Sequence, residues 1–245
     1  YLYYAVFGSV SLGLFWLVDR ILLFRLKPYE KIVWLKISRL LFAKNHSGGV
    51  SSPYRYFNKI VKTEPYGETP LVIWYFLYKK LSIQRGECLL ELGAGRMQGV
   101  FYLSLIAGIR FIAIERNGHF IKQGQEATKC LDSIQKTKPT SEKYWCCEDL
   151  VIEERRVNLV LHEDLRSLQD KNLKVIKEKK PTWIYFYGVG LSEDVVEAAM
   201  SLATTVATEK TTLISVGIDL SQINDHWEKI EQVRVSFPWG RTFLY

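Results

Sequence analysis

The 245-residue sequence predicts an α/β fold in which five parallel strands alternate with helices, an antiparallel hairpin closes the sheet, and a helical, apolar extension precedes it. Three observations carry this expectation. From residue 66 onward, short β-branched runs alternate with helical patterns, the arrangement that places helices on the faces of a parallel sheet. The first run turns through Gly93 and Gly95 into the next helical pattern. The last two runs are separated only by Pro238, Trp239 and Gly240, a link that suits a hairpin and is too short for a parallel crossover.

The extension comes first. Its opening 18 residues carry no charge, and Arg20, Arg25, Lys27, Lys31, Lys36 and Arg39 follow. An uncharged run of that length is at the lower limit for crossing about 30 Å of hydrocarbon as a helix, and its tyrosines and Trp16 suit interfacial depths. Three placements of residues 1–27 stay open: a spanning membrane anchor, a helix in the plane of the interface, or a helix packed on the rest of the chain. The basic flank would keep the remainder on the cytoplasmic side of a membrane. No small-residue cleavage site follows the run, which argues against a removed signal peptide.

Charge supports a membrane over a nucleic acid. Residues 1–65 hold ten Lys/Arg against three Asp/Glu, while the remaining 180 hold 23 of each. The net charge of +7 therefore sits wholly beside the apolar N-terminus, where it suits an anionic membrane surface. Nucleic-acid binding would want basic and aromatic residues interleaved on the sheet domain, and no such run appears there.

Ile32, Val33, Leu35, Ile37, Leu40 and Leu41 recur at helical spacing with Lys31, Lys36 and Arg39 between them, so residues 29–42 read as an amphipathic helix with a basic face. The Gly/Ser/Pro-rich stretch 45–53 reads as a loop and a domain boundary. The chain thus divides into an anchor or packing helix at 1–27, a basic helical linker region at 28–62, and the sheet domain at 63–245. That domain opens with a helix at 71–81, for which Thr69 is a natural N-cap and Pro70 a natural first residue. Parallel strands follow at 88–92, 111–115, 157–162, 183–187 and 211–216, and the hairpin strands at 232–237 and 241–244. Four cysteines without CxxC spacing and four histidines without an HxxxH pair predict a reduced, metal-free interior.

The chemistry concentrates at the strand ends. Gly93 and Gly95 permit the sharp turn and close backbone approach that a nucleotide-like cofactor needs, with Gln98 and Gly99 opening the helix beyond. Glu91 is an acid near the end of an otherwise apolar strand. Glu115 ends the second strand about 20 residues after the glycines, where a carboxylate can accept both hydroxyls of a ribose, while Asn117 is free to cap the next helix. After the third strand, Asp164 and Leu165 are placed for an adenine ring, although Asp164 suits a helix cap nearly as well. The fourth strand ends at Tyr187 and Gly188, beside the expected position of the reacting group.

The segments YGETP (66–70), ELGAG (91–95), AIE (113–115) and YFYGVGLSED (185–194) resemble bacterial class I methyltransferases, with a more distant similarity to the non-SET histone lysine methyltransferases of the Dot1 type. The resemblance covers residues 60–245 and implies a Rossmann-like seven-stranded class I methyltransferase sheet that binds S-adenosylmethionine. It implies that Tyr66, Glu68 and Thr69 close over the methionine end of the cofactor, and that Tyr66 and Tyr187 line the path of the methyl group. The final hairpin, SFPWGRTFLY, also resembles that group. One position departs from the pattern: Met97 stands where a third glycine is common, so that Gln98 and Gly99 would take its part.

Two rivals remain in view. An NAD-dependent oxidoreductase would also use the strand, glycines and acid, but would continue its sheet with a sixth parallel strand. A membrane-tethered scaffold would keep the fold without turnover. The methyl acceptor is open, a protein lysine being favoured by the resemblance and a lipid or quinone-like small molecule by the N-terminus.

Overall fold

A computed structural model describes residues 17–18, 20–26, 28–41, 69–136, 158–237 and 240–245. Residues 1–16, the loop expected at 45–53, Tyr66, Glu68, Cys146 and Cys147 lie outside these. Among the described residues no helix is long and apolar enough to cross a membrane, and no cluster of His, Cys, Asp or Glu is arranged to hold a metal.

Seven strands form one sheet in the order β3-β2-β1-β4-β5-β7-β6. They are β1 (Cys88–Leu92), β2 (Arg110–Glu115), β3 (Leu159–His162), β4 (Trp183–Tyr187), β5 (Thr212–Val216), β6 (Val233–Phe237) and β7 (Gly240–Leu244). The first five are mutually parallel. The last two form the expected hairpin, with β7 antiparallel to both β5 and β6. Six helices are described: α1 (Pro28–Leu41), α2 (Leu71–Lys80), α3 (Gln98–Ala107), α4 (Gly118–Lys136), α5 (Asp170–Lys179) and α6 (Glu193–Val206).

Side-chain alternation along the strands divides the core in two. Leu89, Phe111, Ala113 and Tyr185 point to one face with α1 to α4, while Cys88, Leu90, Leu92, Ile112, Ile114, Ile184 and Phe186 point to the other with α5 and α6. The central strands are buried on both faces, which is why they read as continuous apolar runs.

The amphipathic pattern expected at 29–42 is only partly spent on this core, since Ile32 and Leu35 are exposed. Val33, Trp34, Ile37 and Leu41 are buried against the side of the molecule formed by α3 and α4, with the Trp34 and Tyr102 rings edge to face at 6.0 Å. At about 1.5–3 kcal/mol for each fully buried large side chain, this packing far outweighs the helix's own propensity.

The N-cap expected at Thr69 is not formed. Pro70 occupies the cap position, its carbonyl accepts from Ile73 and Trp74, and no side chain caps the helix. The Thr69 hydroxyl is drawn instead to a tertiary partner, as described next.

Candidate functional site

The strand order reverses between β1 and β4, where one crossover runs toward β2 and the other toward β5. At such a switch point the loops leave in opposite directions and open a crevice beyond the carboxyl ends of the strands. A cleft open to solvent lies there. It is lined by Thr69, Trp74, Glu91, Gly93, Ala94, Gly95, Met97, Gln98, Gly99, Tyr185 and Tyr187. Seven expected site residues thus meet in one place: Thr69, Glu91, Gly93, Gly95, Gln98, Gly99 and Tyr187. Glu115, Asp164, Leu165 and Gly188 are not part of its lining, Glu115 reaching it only through its bond to the Gly95 N–H.

The floor is the turn after β1. Gly93 adopts φ +71° and a Cβ there would meet nothing within 4 Å, so the glycine serves backbone conformation and leaves its surface open. Gly93 and Ala94 both donate to the Ile114 carbonyl at 3.0 and 2.9 Å, which ties the turn to β2.

Met97 has φ +62° and ψ 18°, the left-handed conformation that glycine adopts more readily than any other residue. A methionine here carries a cost of about 1–2 kcal/mol. Its compensation is visible: the side chain is 1% exposed, and its sulfur lies 2.3 Å from where a Cβ on Gly124 would stand. Glycine at 124 therefore makes the notch that admits the methionine, a pairing across α4 that sequence spacing does not reveal.

Glu115 closes one side of the turn. Its Oε2 accepts from the Gly95 N–H at 2.8 Å and its Oε1 from the Asn117 N–H at 2.7 Å. Burial raises its pKa above the ordinary value of 4.5, against the lowering effect of those two bonds. Asn117 caps α4 as expected, its Oδ1 accepting from the His119 N–H at 3.0 Å.

The opposite wall joins β4 to the segment before α2. Glu91 and Tyr185 are register partners on adjacent strands and face the same side. The Tyr185 hydroxyl lies 2.5 Å from Thr69 Oγ1, and Gln98 Nε2 donates to the Thr69 carbonyl at 3.3 Å. Side chains from β4 and α3 thus pin Thr69 at the rim. Tyr185 is fully buried, which drives its phenol well above its usual pKa, and the nearby Glu91 charge pushes in the same direction. Removing the phenol oxygen strands a buried threonine hydroxyl, a loss of about 1–3 kcal/mol. Tyr185→Phe should lower stability by that amount in a urea titration, and an unchanged midpoint would show that the Thr69 contact is idle.

Asp164 sits at the carboxyl end of β3, but its carboxylate is already engaged. It caps the short 3-10 turn Leu165–Ser167 by accepting from the Arg166 N–H at 3.0 Å, and it accepts from the Arg166 guanidinium at 2.6 and 2.9 Å. These contacts hold its pKa down to about 2. Arg166 reaches on to Asp194 at 2.9 Å, so one guanidinium joins the 3-10 turn after β3 to the first turn of α6. His162 hydrogen-bonds the Arg116 carbonyl at 2.9 Å, a structural partner for the ring. Tyr187 packs edge to face on Phe237, 5.6 Å between centroids, which fixes the tyrosine at the cleft by way of the hairpin. Trp74, Ala94, Met97 and Tyr185 complete the lining; Ala94 and Tyr185 fall within the segments ELGAG and YFYGVGLSED, whereas Trp74 carried no signal beyond its apolar spacing.

No protein-family model and no curated protein matches the sequence. Among solved structures the fold is similar to a precorrin-6y C5,15-methyltransferase from Geobacter metallireducens GS-15, at 13% identity and TM-score 0.47, covering 72% of this chain and 87% of that one. It is also similar to an RNA methyltransferase from Salinibacter ruber in complex with S-adenosyl-L-homocysteine, at 14% identity and TM-score 0.48, covering 73% and 92%. A third is a SAM-dependent methyltransferase from Geobacter sulfurreducens in complex with the same molecule, at 13% identity and TM-score 0.40, covering 74% of this chain and 54% of that one. The strand order, the parallel core and the terminal antiparallel hairpin of the present chain are those of the Rossmann-like, seven-stranded class I methyltransferase fold.

Proposed function

We propose that the chain is an S-adenosylmethionine-dependent methyltransferase. The observation that carries this reading is the cleft at the β1/β4 switch point, floored by an open glycine turn and flanked by the Glu115 carboxylate, in a sheet that ends in an antiparallel hairpin. A dinucleotide oxidoreductase would share the glycines and the acid, but its sheet would go on with a parallel strand where β7 runs antiparallel to β5.

The residues present fit the cofactor. Gly93 leaves an unobstructed surface, and Glu115 retains lone pairs on both oxygens for ribose hydroxyls. Gln98, Gly99, Glu91 and Thr69 surround the position of the methionine portion, with Tyr66 and Glu68 as further contacts. Asp164 and Leu165 would meet the adenine, Asp164 by sharing its oxygens with Arg166. The cofactor supplies the electrophilic methyl group.

Methyl transfer from a sulfonium is an in-line displacement, so the protein's work is alignment and exclusion of water. Tyr187, held by Phe237, and Gly188, which follows it at the end of β4, would border the approach of the nucleophile, with Tyr66 as a further candidate from the resemblance. An aromatic, water-poor approach would favour a neutral lysine amine, which makes a protein lysine the acceptor proposed first. A thermal-shift series with S-adenosylmethionine, S-adenosylhomocysteine and NAD tests the reading. Both sulfur ligands should raise the melting temperature and NAD should not; stabilisation by NAD alone, or by none of the three, overturns it.

A further inference from the structure

The described N-terminal residues present an outward face unlike the rest of the surface. Leu17, Ile21, Phe24, Ile32 and Leu35 are between 50% and 76% exposed, and they are half of the ten large apolar side chains that stand exposed among the described residues. All five fall within 19 consecutive positions. Leu17 and Ile21 are four apart, and Ile32 and Leu35 three apart on α1, so each pair shares a helical face. Lys31 links the two parts, its ammonium 5.3 Å from the centre of the Phe24 ring.

These residues are not the core-facing stripe of an amphipathic helix. That stripe is Val33, Trp34, Ile37 and Leu41, and it is buried. What remains is a second, outward apolar stripe where a helix on a globular surface would be polar. Basic residues border it: Arg20, Arg25, Lys36 and Arg39 are exposed. The acid of α1, Glu30, is withdrawn into the protein at 5% exposure. In sequence the stripe is continuous with 16 preceding residues that carry no charge.

We propose that this face docks on an anionic lipid bilayer, with Leu17, Ile21, Phe24, Ile32 and Leu35 dipping into the interface and the flanking lysines and arginines meeting the headgroups. Aliphatic side chains and phenylalanine ringed by cations match a lipid interface. A protein interface is enriched in tyrosine, tryptophan and methionine as well as phenylalanine and arginine and is depleted of lysine; here four of the five apolar groups are aliphatic and Lys31 and Lys36 stand among them. The inference does not depend on the identity of the cofactor.

Flotation of the full chain, synthesised in the presence of vesicles of phosphatidylcholine alone or mixed with phosphatidylglycerol, tests it. The triple variant Phe24→Ser, Ile32→Ser, Leu35→Ser should lower the partition coefficient at least tenfold on either vesicle. The double variant Lys31→Glu, Lys36→Glu should lower it about tenfold or more on the anionic vesicles alone, since each cation near such a surface contributes about fivefold. Melting of both variants should match the parent, because the altered side chains lie outside the core. Partitioning unchanged in the charge variant overturns the proposal. So does loss of self-association by sedimentation velocity in the triple variant while its vesicle binding persists, which would assign the face to a second copy of the chain.

Discussion

Gly99→Ala should destabilise the protein by about 2 kcal/mol or more, although alanine is the better helix former. The added Cβ would lie 2.1, 2.2 and 2.5 Å from three atoms of the Trp74 indole. Propensity favours alanine by about 1 kcal/mol in a helix interior, whereas overpacking a close-packed site costs about 1–3 kcal/mol and occasionally more. The rigid ring decides between them. Trp74 is 1% exposed and stacks on Tyr185 with centroids 4.2 Å apart, so it has no solvent to turn into and moves only by displacing the residue that pins Thr69. For a chain of this size the loss corresponds to a fall in melting temperature of about 4–8 °C, and it should be accompanied by weaker S-adenosylmethionine binding. Gly124→Ala is the informative contrast. Its Cβ would meet the Met97 thioether at 2.3 Å, a flexible chain end that can rotate aside, and the cost should be smaller. Equal melting temperatures for Gly99→Ala and the parent would mean that Trp74 can move, and would remove the packing role assigned to the glycine.

The contrast between these glycines shows what was legible in the sequence. Strands β1 and β4 fall where their apolar runs place them, because a strand buried on both faces writes its position as an unbroken run. The ends of β2, β3 and β5 shift by one or two residues, since a ladder ends where its neighbour ends and the neighbour is set by register. The glycine turn, the place of Glu115 at the end of β2 and the hairpin were legible for a different reason: each depends on local backbone geometry or on an offset along one βαβ unit. Gly99 and Gly124 were not readable as spacers. The atoms that require them, in Trp74 and Met97, are distant along the chain and are brought close only by helix packing. Thr69 fails in the same way. A hydroxyl beside a proline suits an N-cap, but an unpaired buried phenol is costly, and the tertiary bond to Tyr185 wins. The basic amphipathic helix was legible as a helix, while which of its apolar positions face the domain was settled only by Val33, Trp34, Ile37 and Leu41 finding partners there.

Glu115→Ala should abolish S-adenosylmethionine binding in calorimetry, and Glu115→Gln should weaken it about a hundredfold. The alanine variant loses both the ligand's acceptor and the cross-link between Gly95 and Asn117 that shapes the turn. The glutamine variant keeps one oxygen but turns an amide donor toward one of two backbone N–H groups, and it loses the charge that makes each such bond worth about 1.5–3 kcal/mol. Two such bonds to ribose hydroxyls account for the expected hundredfold at about 1.4 kcal/mol per tenfold. The pH dependence separates binding from folding. Burial raises the Glu115 pKa above 4.5 in the folded protein, so between that value and the raised one the folded state holds a proton that the unfolded chain releases. Its contribution to stability is therefore fully present below 4.5 and is lost as pH rises through the folded-state value. Cofactor binding runs the other way, because protonation replaces an acceptor with a donor, and affinity should fall as pH drops through the same window. Glu115→Gln should flatten both trends at once. If affinity and stability instead fall together on acidification, and do so equally in the glutamine variant, the carboxylate is a structural brace for the glycine turn and the ribose contact belongs to another group.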